Sequence, residues 1–383
     1  MHVTRLELRH LRRFEELRLD PTPGLNLITG DNGAGKTSVL EALHLMAYGR
    51  SFRGRVRDGL IRAGDPALEV FVEWRERDLG TRDVGLGDGN SSAETAGRAR
   101  KAGLRHSGQD WTGRLDGANV AQLGDLCAAL AVVTFEPGSH ALITGGGESR
   151  RRYLDWGLFH VEQGFLPVWR RYARALKQRN ALLKARARDT QLDSWDRELA
   201  DAGEPLDRFR ERYLEDLQPR FSALLAELAP ALGASRMEYQ PGWRREDMPL
   251  ADALLVARER DLSAGYTTVG PHRADWRIAY GNLPGREALS RGQAKLTALS
   301  TLLAQAEHHD AVHGEWPVVA LDDLASELDR QHQARVLGRL QASRAQVFVT
   351  GTDVPPGMPS MMPFEWFHVE HGAISRSHGA PVP

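Results

Sequence analysis

The chain has 383 residues, enough for two domains or for one large domain with an insertion. Its 50 Lys and Arg nearly balance its 51 Asp and Glu, which excludes a global positive field, so any nucleic-acid contact must come from a local patch. The single cysteine, Cys127, excludes an internal disulfide. The sequence has neither a long apolar run nor a signal-peptide core, which predicts a soluble cytoplasmic protein without a membrane partner.

The first elements predict an α/β start. Alternating apolar and polar residues over 3–8 predict a strand, and a second strand follows at 14–19. The apolar run 25–28 predicts a third strand, and helical spacing of apolar residues from Ser38 predicts a helix that ends near Gly49. Two short strands leading into a strand–helix pair are typical of a mixed α/β domain.

The stretch between the third strand and this helix matches the pattern G-x-x-x-x-G-K-[ST] in full. Its glycines let backbone N–H groups point at phosphate oxygens. Lys36 is expected to reach the β- and γ-phosphates of ATP, and the Thr37 hydroxyl to hold Mg²⁺. The predicted nucleotide-binding residues here are Gly30, Asp31, Asn32, Gly33, Ala34, Gly35, Lys36, Thr37 and Ser38.

The next hundred residues favour strands and loops. The basic segment 50–57 is either a solvated loop or a phosphate-facing segment, and both interpretations stay open. Residues 68–74 predict a strand, and the Gly- and Ser-rich stretch 78–113 predicts hairpin strands with exposed loops. The apolar run 128–135 predicts a buried strand.

The pattern becomes helical near residue 148. Apolar residues at helical spacing predict one long helix through 168–183, a short helix that stops at Gly203, and another over 206–228 that Pro219 kinks. This block, 148–232, is too short for a long coiled-coil arm, and we interpret it as an insertion.

The α/β pattern resumes at residue 267. A helix is predicted over 291–310, a strand over 318–321, a helix over 329–342 and a strand over 346–349. The Pro- and Gly-rich tail after Thr350 is expected to be loosely packed.

Two motifs in this second α/β part complete an ATPase pattern. The strand 318–321 ends in Asp322 and Asp323, the Walker B form, although a strand can also end in Asp for turn reasons alone. We assign Asp322 to Mg²⁺ and Asp323 to the general base that polarises the attacking water, which makes Lys36, Asp322 and Asp323 the predicted catalytic residues.

The second motif opens the helix at residue 291. Ser290 is suited to an ordinary N-cap, but its place some thirty residues before the Walker B strand favours the signature motif of ABC-type ATPases. Ser290, Gly292 and Gln293 are then expected at a γ-phosphate, because the helix N-terminus attracts anions and Gly292 permits close approach.

These ordered motifs resemble the RecF family of bacterial recombination-repair ATPases, within the ABC/SMC/Rad50 superfamily, over nearly the whole chain. The resemblance also rests on residues 40–42, 49–53, 135–137, 151–155, 178–184, 270–273 and 326–329. It implies an α/β fold, an ABC-type P-loop ATPase head with an inserted all-helical lobe and no long coiled coil. The implied parts are an N-terminal head segment 1–147, a lobe 148–264 and a C-terminal head segment 265–383.

The resemblance also implies a function. ATP is expected to join two copies into a homodimer that holds single- and double-stranded DNA at gaps or junctions, with RecR- and RecO-type mediators as partners in gap repair, replication restart and the SOS response. Asp323 stands where many ABC ATPases have Glu, which is consistent with slow turnover. The switch histidine of transporter ATPases is missing after strand 346–349, which leaves Thr352 and Asp353 as candidate γ-phosphate sensors.

DNA contacts are the least visible property. The first half of the helical block is rich in basic residues, which form either a solvated helix face or a phosphate-tracking surface. These residues are Arg150, Arg151, Arg152, Arg170, Arg171, Arg174, Lys177, Arg179, Lys184, Arg186 and Arg188. Two other function classes stay open: the energising subunit of a membrane transporter, and a scaffold that holds nucleotide without hydrolysing it.

Overall fold

The structure is a computed structural model, and it describes residues 1–54, 59–76, 97–186, 189–283, 289–358 and 363–377. The predictions for residues 55–57, for 78–96 and for Arg188 lie outside these ranges. Packing divides the chain into two units, residues 1–138 with 309–383, and residues 139–308. Within the described ranges, no helix combines the length and apolar character needed to cross a membrane.

The first unit contains a six-stranded antiparallel sheet in the order β2-β1-β4-β5-β6-β7. Along its strands, buried apolar residues alternate with polar ones, as expected when only one face of an antiparallel sheet packs on a core. Its strands are β1 (His2–Leu11), β2 (Phe14–Leu19), β4 (Leu68–Arg75), β5 (Ala99–His106), β6 (Trp111–Leu115) and β7 (Ala118–Asn119).

A second six-stranded sheet of the same unit runs in the order β14-β13-β3-β12-β11-β8. Five neighbouring strands are parallel and β14 pairs antiparallel at the edge. Its strands are β3 (Leu25–Thr29), β8 (Val132–Phe135), β11 (Val318–Leu321), β12 (Val347–Gly351), β13 (Phe364–Glu370) and β14 (Ala373–Arg376). Because β3, β11 and β12 are parallel neighbours, the segments that follow them meet at one edge of the sheet.

Helix α1 (Lys36–Tyr48) lies in the core that the two sheets share. Leu40 and Leu43 of the helix, Leu6 of β1 and Phe348 of β12 belong to one buried apolar cluster. Polar residues of α1, among them Glu41 and His44, are buried together with its apolar residues, so the helix is enclosed on nearly every side. The other helices of the unit are α2 (Leu123–Cys127), α9 (Leu324–Glu327) and α10 (Arg330–Ser343).

The second unit is mainly helical. Its helices are α3 (Ala141–Thr144), α4 (Gly147–Val161), α5 (Phe165–Lys184), α6 (Asp189–Leu228), α7 (Leu250–Ala264) and most of α8 (Arg291–His313). It also contains an antiparallel pair that the sequence analysis does not predict, β9 (Ser235–Gln240) and β10 (Asp275–Tyr280). The sequence analysis assigns 265–308 to the head, whereas packing groups these residues with this second unit.

Helix α6 corrects the prediction of two helices separated at Gly203. The helix continues through Gly203, Pro205 and Pro219 over 40 residues. A Cβ at Gly203 would stand 2.5 Å from Leu250 Cδ2, so the glycine allows α7 to pack closely against α6 and does not end the helix. Leu199 and Leu206 are fully buried on either side of the expected break, and this burial outweighs the local propensity.

Two further predictions need correction. The tail after Thr350 is not loosely packed throughout, because β13 pairs in parallel with β3 and its Phe367 and Val369 are buried. The strand predicted over 128–135 is shorter, since only Val132–Phe135 is extended and α2 ends at Cys127. The strands predicted at 3–8, 14–19, 25–28, 68–74 and 318–321 are confirmed.

Candidate nucleotide-binding site

The loop between β3 and α1 has a backbone that only glycine accommodates easily. Gly30 has φ of 147°, and a Cβ there would stand 2.2 Å from the Val369 carbonyl oxygen. Gly35 has φ of 119°, and its Cβ would stand 2.7 Å from the Phe14 ring. The loop is therefore packed between β13 and the β1–β2 turn, and its two flanking glycines are required by contact as well as by backbone conformation.

Lys36 is the first residue of α1 and is nearly buried. Its Nζ donates to the carbonyl oxygens of Gly30 at 2.6 Å and of Asp31 at 2.9 Å. Burial lowers the pKa of Lys36, and the nearby Asp323 and Asp322 carboxylates oppose this shift. The ammonium group is therefore held on the loop, where an added phosphate chain would give it further anionic partners.

Asp322 lies at the end of β11, where two hydroxyl groups converge on one of its oxygens. Thr37 Oγ1 donates to Asp322 Oδ1 at 2.9 Å and Thr350 Oγ1 donates to the same atom at 2.6 Å. Burial raises the pKa of Asp322, while these two hydrogen bonds act in the opposite direction. Hydroxyl and carboxylate oxygens are the donors that Mg²⁺ prefers, so the Thr37–Asp322 pair fits the predicted metal.

Asp323 follows in a left-handed conformation, with φ of 51°. Its N–H donates to Thr350 Oγ1 at 2.9 Å, and Ser326 Oγ donates to its Oδ2 at 2.6 Å. Thr350, at the end of β12, thus orients both acidic residues. The sequence analysis missed Thr350, and the structure places this residue, rather than Thr352 or Asp353, among those that line the cavity described next.

Lys36, Thr37, Ser38, Asp322 and Asp323 line one cavity of about 800 Å³. The cavity lies wholly within the first unit, and its wall includes further charged residues that the sequence analysis did not assign to the nucleotide. The other lining residues are Arg12, Arg13, Asn32, Gly33, Gly35, Phe52, Arg53, Gly59, Glu136, Pro137 and Thr350. Arg53 belongs to the basic segment 50–57, so its place here favours the phosphate-facing interpretation of that part of the segment.

The β1–β2 turn is fixed against the phosphate-binding loop. Arg12 donates to both carboxylate oxygens of Glu41, at 2.9 and 2.8 Å, and Glu41 is fully buried in α1. Arg13 Nη1 donates to the Gly33 carbonyl at 2.9 Å. Glu41 also accepts from Ser51, so one buried carboxylate joins the turn, the helix and the segment after it. Spacing in the sequence gives no signal for this convergence.

Ser290 and Gln293 form a capping box at the start of α8. Gln293 N–H donates to Ser290 Oγ at 3.2 Å, and Ser290 N–H donates to Gln293 Oε1 at 2.9 Å. Both residues are at least partly exposed, and a Cβ on Gly292 would meet nothing within 4 Å. All three residues belong to the second unit, so the structure does not group them with the cavity of the first.

Two of the arginines proposed for DNA are buried in ion pairs instead. Arg150 pairs with Asp275 at 2.6 Å. Arg179 is fully buried, with Asp196 at 2.5 Å and Asp261 at 2.6 Å. A buried guanidinium that is already paired cannot track a phosphate backbone, so both arginines are removed from the predicted surface.

The chain is similar to known proteins over nearly its whole length. A family model described as the RecF/RecN/SMC N terminal domain matches residues 2–362. The chain is 66% identical to the DNA replication and repair protein RecF of Stenotrophomonas maltophilia, over 98% of this chain and 99% of that protein. It is 64% identical to the protein of the same name from Xanthomonas axonopodis pv. citri, over 98% and 99%.

A solved structure agrees with the fold. It is described as the recombination mediator protein RecF-ATP in the RecFOR pathway, and it matches with a TM-score of 0.83 and 25% identity, over 98% of each chain. The similarity therefore spans both units rather than the nucleotide-binding motifs alone.

Proposed function

The chain belongs to the RecF family of DNA replication and repair ATPases, and from this premise we propose that it is an ATP-gated DNA clamp. ATP with Mg²⁺ binds in the cavity of the first unit, two copies then join around DNA, and slow hydrolysis separates them. The proposal places the protein in the cytoplasm, in recombinational repair and replication restart, with RecR- and RecO-type mediators as partners.

One observation carries the ATPase part of the proposal. Thr37 of the phosphate-binding loop and Asp322 of the Walker B strand are 285 positions apart in the chain, yet their side chains form a direct hydrogen bond of 2.9 Å. When bound, Mg²⁺ would supply positive charge that neutralises the phosphate oxygens. Thr37 and Asp322 are the residues that would hold it.

The other polar groups fit hydrolysis of the γ-phosphate. Lys36 stabilises the phosphate charge, and Asp323 orients and deprotonates the attacking water. The hydrogen bond from Ser326 to Asp323 Oδ2 restrains this carboxylate. Asp is one methylene shorter than the Glu of faster ABC enzymes, so slow turnover is expected.

The signature residues support a site that two copies share. Ser290, Gly292 and Gln293 lie at the N-terminus of a long helix, where N–H groups and the helix dipole favour an anion. The open space at Gly292 is compatible with a γ-phosphate close to the backbone. We propose that these residues of one copy complete the nucleotide site of the other.

Helix α5 carries the best remaining candidates for DNA contact. Arg174, Lys177 and Lys184 are exposed and recur at spacings of three and seven, which places them on one side of the helix. A row of exposed cations on one side of a helix can follow a phosphate backbone. Of the larger basic set of the sequence analysis, burial removes Arg150 and Arg179.

Phosphate release, measured with and without gapped DNA, tests the proposal. Wild type is expected to release phosphate slowly and faster with DNA, Lys36→Ala to lose ATP binding, and Asp323→Asn to bind ATP without hydrolysing it. Asp216→Asn is the matched control, because Asp216 is an exposed carboxylate of α6 outside the cavity wall. Hydrolysis by Asp323→Asn at the wild-type rate would remove Asp323 as the base, and no release by wild type would favour the scaffold.

A further inference from the structure

An exposed aromatic residue with an arginine over its ring lies in the second unit, on the segment that joins α7 to β10. Tyr266 is 45% exposed, and the guanidinium carbon of Arg273 lies 5.2 Å from the centroid of its ring. Arg273 is itself exposed. The aromatic ring therefore keeps a large accessible surface beside a positive charge, the combination that cation–π contacts and base stacking use.

The segment between these two residues is fixed at its N-terminal end by buried polar groups. Thr267 donates to Asn180 Oδ1 through its N–H at 2.8 Å, and its hydroxyl contacts the buried Arg179 at 2.9 Å. Thr268 N–H donates to the buried Asp261 at 2.9 Å. Residues of α5 and of α7 therefore hold the backbone that follows Tyr266.

The C-terminal end of the segment is fixed as well. The His272 ring contacts the Tyr172 hydroxyl at 2.7 Å and the Thr267 carbonyl at 2.9 Å. Arg210 Nη1 donates to the Pro271 carbonyl at 2.7 Å. Backbone held in this way loses little freedom when a ligand binds to the side chains that it presents, so the Tyr266–Arg273 pair is preorganised.

Further cations lie beside the pair. The Lys184 side chain passes Gly265, where a Cβ would stand 3.7 Å from Lys184 Cγ. Arg260 is exposed and its Nε donates to Thr268 Oγ1 at 2.9 Å. Asp261 adds no compensating surface charge, because it is fully buried against Arg179. We define Tyr266, Arg273, Lys184 and Arg260 as the Tyr266 platform.

We propose that the Tyr266 platform binds an unpaired segment of DNA, with one base stacked on the Tyr266 ring and the flanking phosphates held by Arg273, Lys184 and Arg260. Aromatic rings flanked by cations recognise single strands because every base offers a π face, whereas stacked bases inside a duplex do not. Lys184 also belongs to the α5 row, so the platform continues the surface proposed for the duplex. The inference rests on the proposed DNA binding and adds a residue that distinguishes a gap from intact duplex.

The test compares affinities for a blunt duplex and for the same duplex with a short gap that contains 2-aminopurine, both with ATP and Mg²⁺ present. Tyr266→Ala is expected to weaken binding to the gapped DNA by about tenfold, to leave duplex affinity unchanged and to abolish quenching of the 2-aminopurine. Tyr266→Phe is expected to keep both properties. Leu255→Ala, which removes an exposed apolar residue of α7, is the matched control, and thermal unfolding verifies that each variant is folded.

A second variant addresses the phosphate contacts. Arg273→Gln is expected to lower the salt dependence of gapped-DNA binding by about one counterion. Wild-type affinity and quenching in Tyr266→Ala would overturn the proposal, and so would an equal loss on both DNAs, although DNA binding itself would then stand. Failure of the wild-type protein to bind either DNA would overturn the proposed function and the platform together.

Discussion

The substitution Thr350→Val tests whether the two acidic residues depend on the hydroxyl that joins them. Thr350 is 1% exposed, and its Oγ1 donates to Asp322 at 2.6 Å and accepts from the Asp323 N–H at 2.9 Å. Valine has nearly the same shape, so packing is retained while both hydrogen bonds are lost.

The expected magnitude follows from these two contacts. A hydrogen bond to a charged group contributes about 1.5–3 kcal/mol, and an unsatisfied buried N–H costs about 1–3 kcal/mol. Because Thr350→Val loses both contacts, we expect the free energy of unfolding to fall by about 2.5–6 kcal/mol. Removing a group that orients a metal ligand typically lowers metal affinity by about 10- to 100-fold, and we expect Asp322 to lose this much affinity for Mg²⁺.

The assay is a Mg²⁺ titration of ATP hydrolysis, combined with denaturant unfolding. Thr350→Ser is the matched control, since it keeps the hydroxyl and removes only a methyl group. If Thr350→Val and Thr350→Ser require the same Mg²⁺ concentration for half-maximal hydrolysis, the Thr350 hydroxyl does not orient Asp322 for the metal.

Two further predictions concern the packing around the loop. Gly30→Ala should lower the free energy of unfolding by more than about 3 kcal/mol, because its Cβ would meet the Val369 carbonyl. Gly64 also has positive φ but lies in open space, so Gly64→Ala should cost only backbone strain of about 1–3 kcal/mol. Denaturant unfolding compares the two variants, and equal losses would contradict the predicted contact with Val369. Burial lowers the pKa of His44 to about 3, so the unfolded chain binds a proton near pH 6.5 while the folded chain does not, and stability is lost as pH falls below 6.5. Between pH 7.5 and 5.5 this loss is about 1.4 kcal/mol, and unfolding of His44→Gln at both pH values should show a pH-dependent loss smaller by that amount.

Local patterns were enough to predict the elements that carry the nucleotide motifs. The phosphate-binding loop and the Walker B strand each depend on neighbouring residues, and their strand and helix bounds agree with the structure within a few residues. Thr350, Arg12 and Glu41 were not predicted as part of the site. Their roles arise from contacts between distant segments, and neither spacing nor residue type marks them.

Other differences come from packing that overrides local preference. Gly203 and Pro205 favour a helix end, but burial along α6 keeps the helix continuous. The Pro and Gly residues after Thr350 predicted a loosely packed tail, but parallel pairing with β3 stabilises β13 there. Arg179 was taken for a surface cation, although two buried carboxylates hold it inside the second unit.

The most direct test of the account mixes two inactive variants, Ser290→Arg and Lys36→Ala. If the signature residues act on the partner's nucleotide, both lesions of a mixed dimer fall in one site and the other site has every group intact. With random pairing, half of the dimers are mixed and each has one intact site, so we expect about one quarter of the wild-type phosphate release if a single site suffices. Mixed dimers detected by mass spectrometry, with hydrolysis no higher than that of either variant alone, would contradict the shared site.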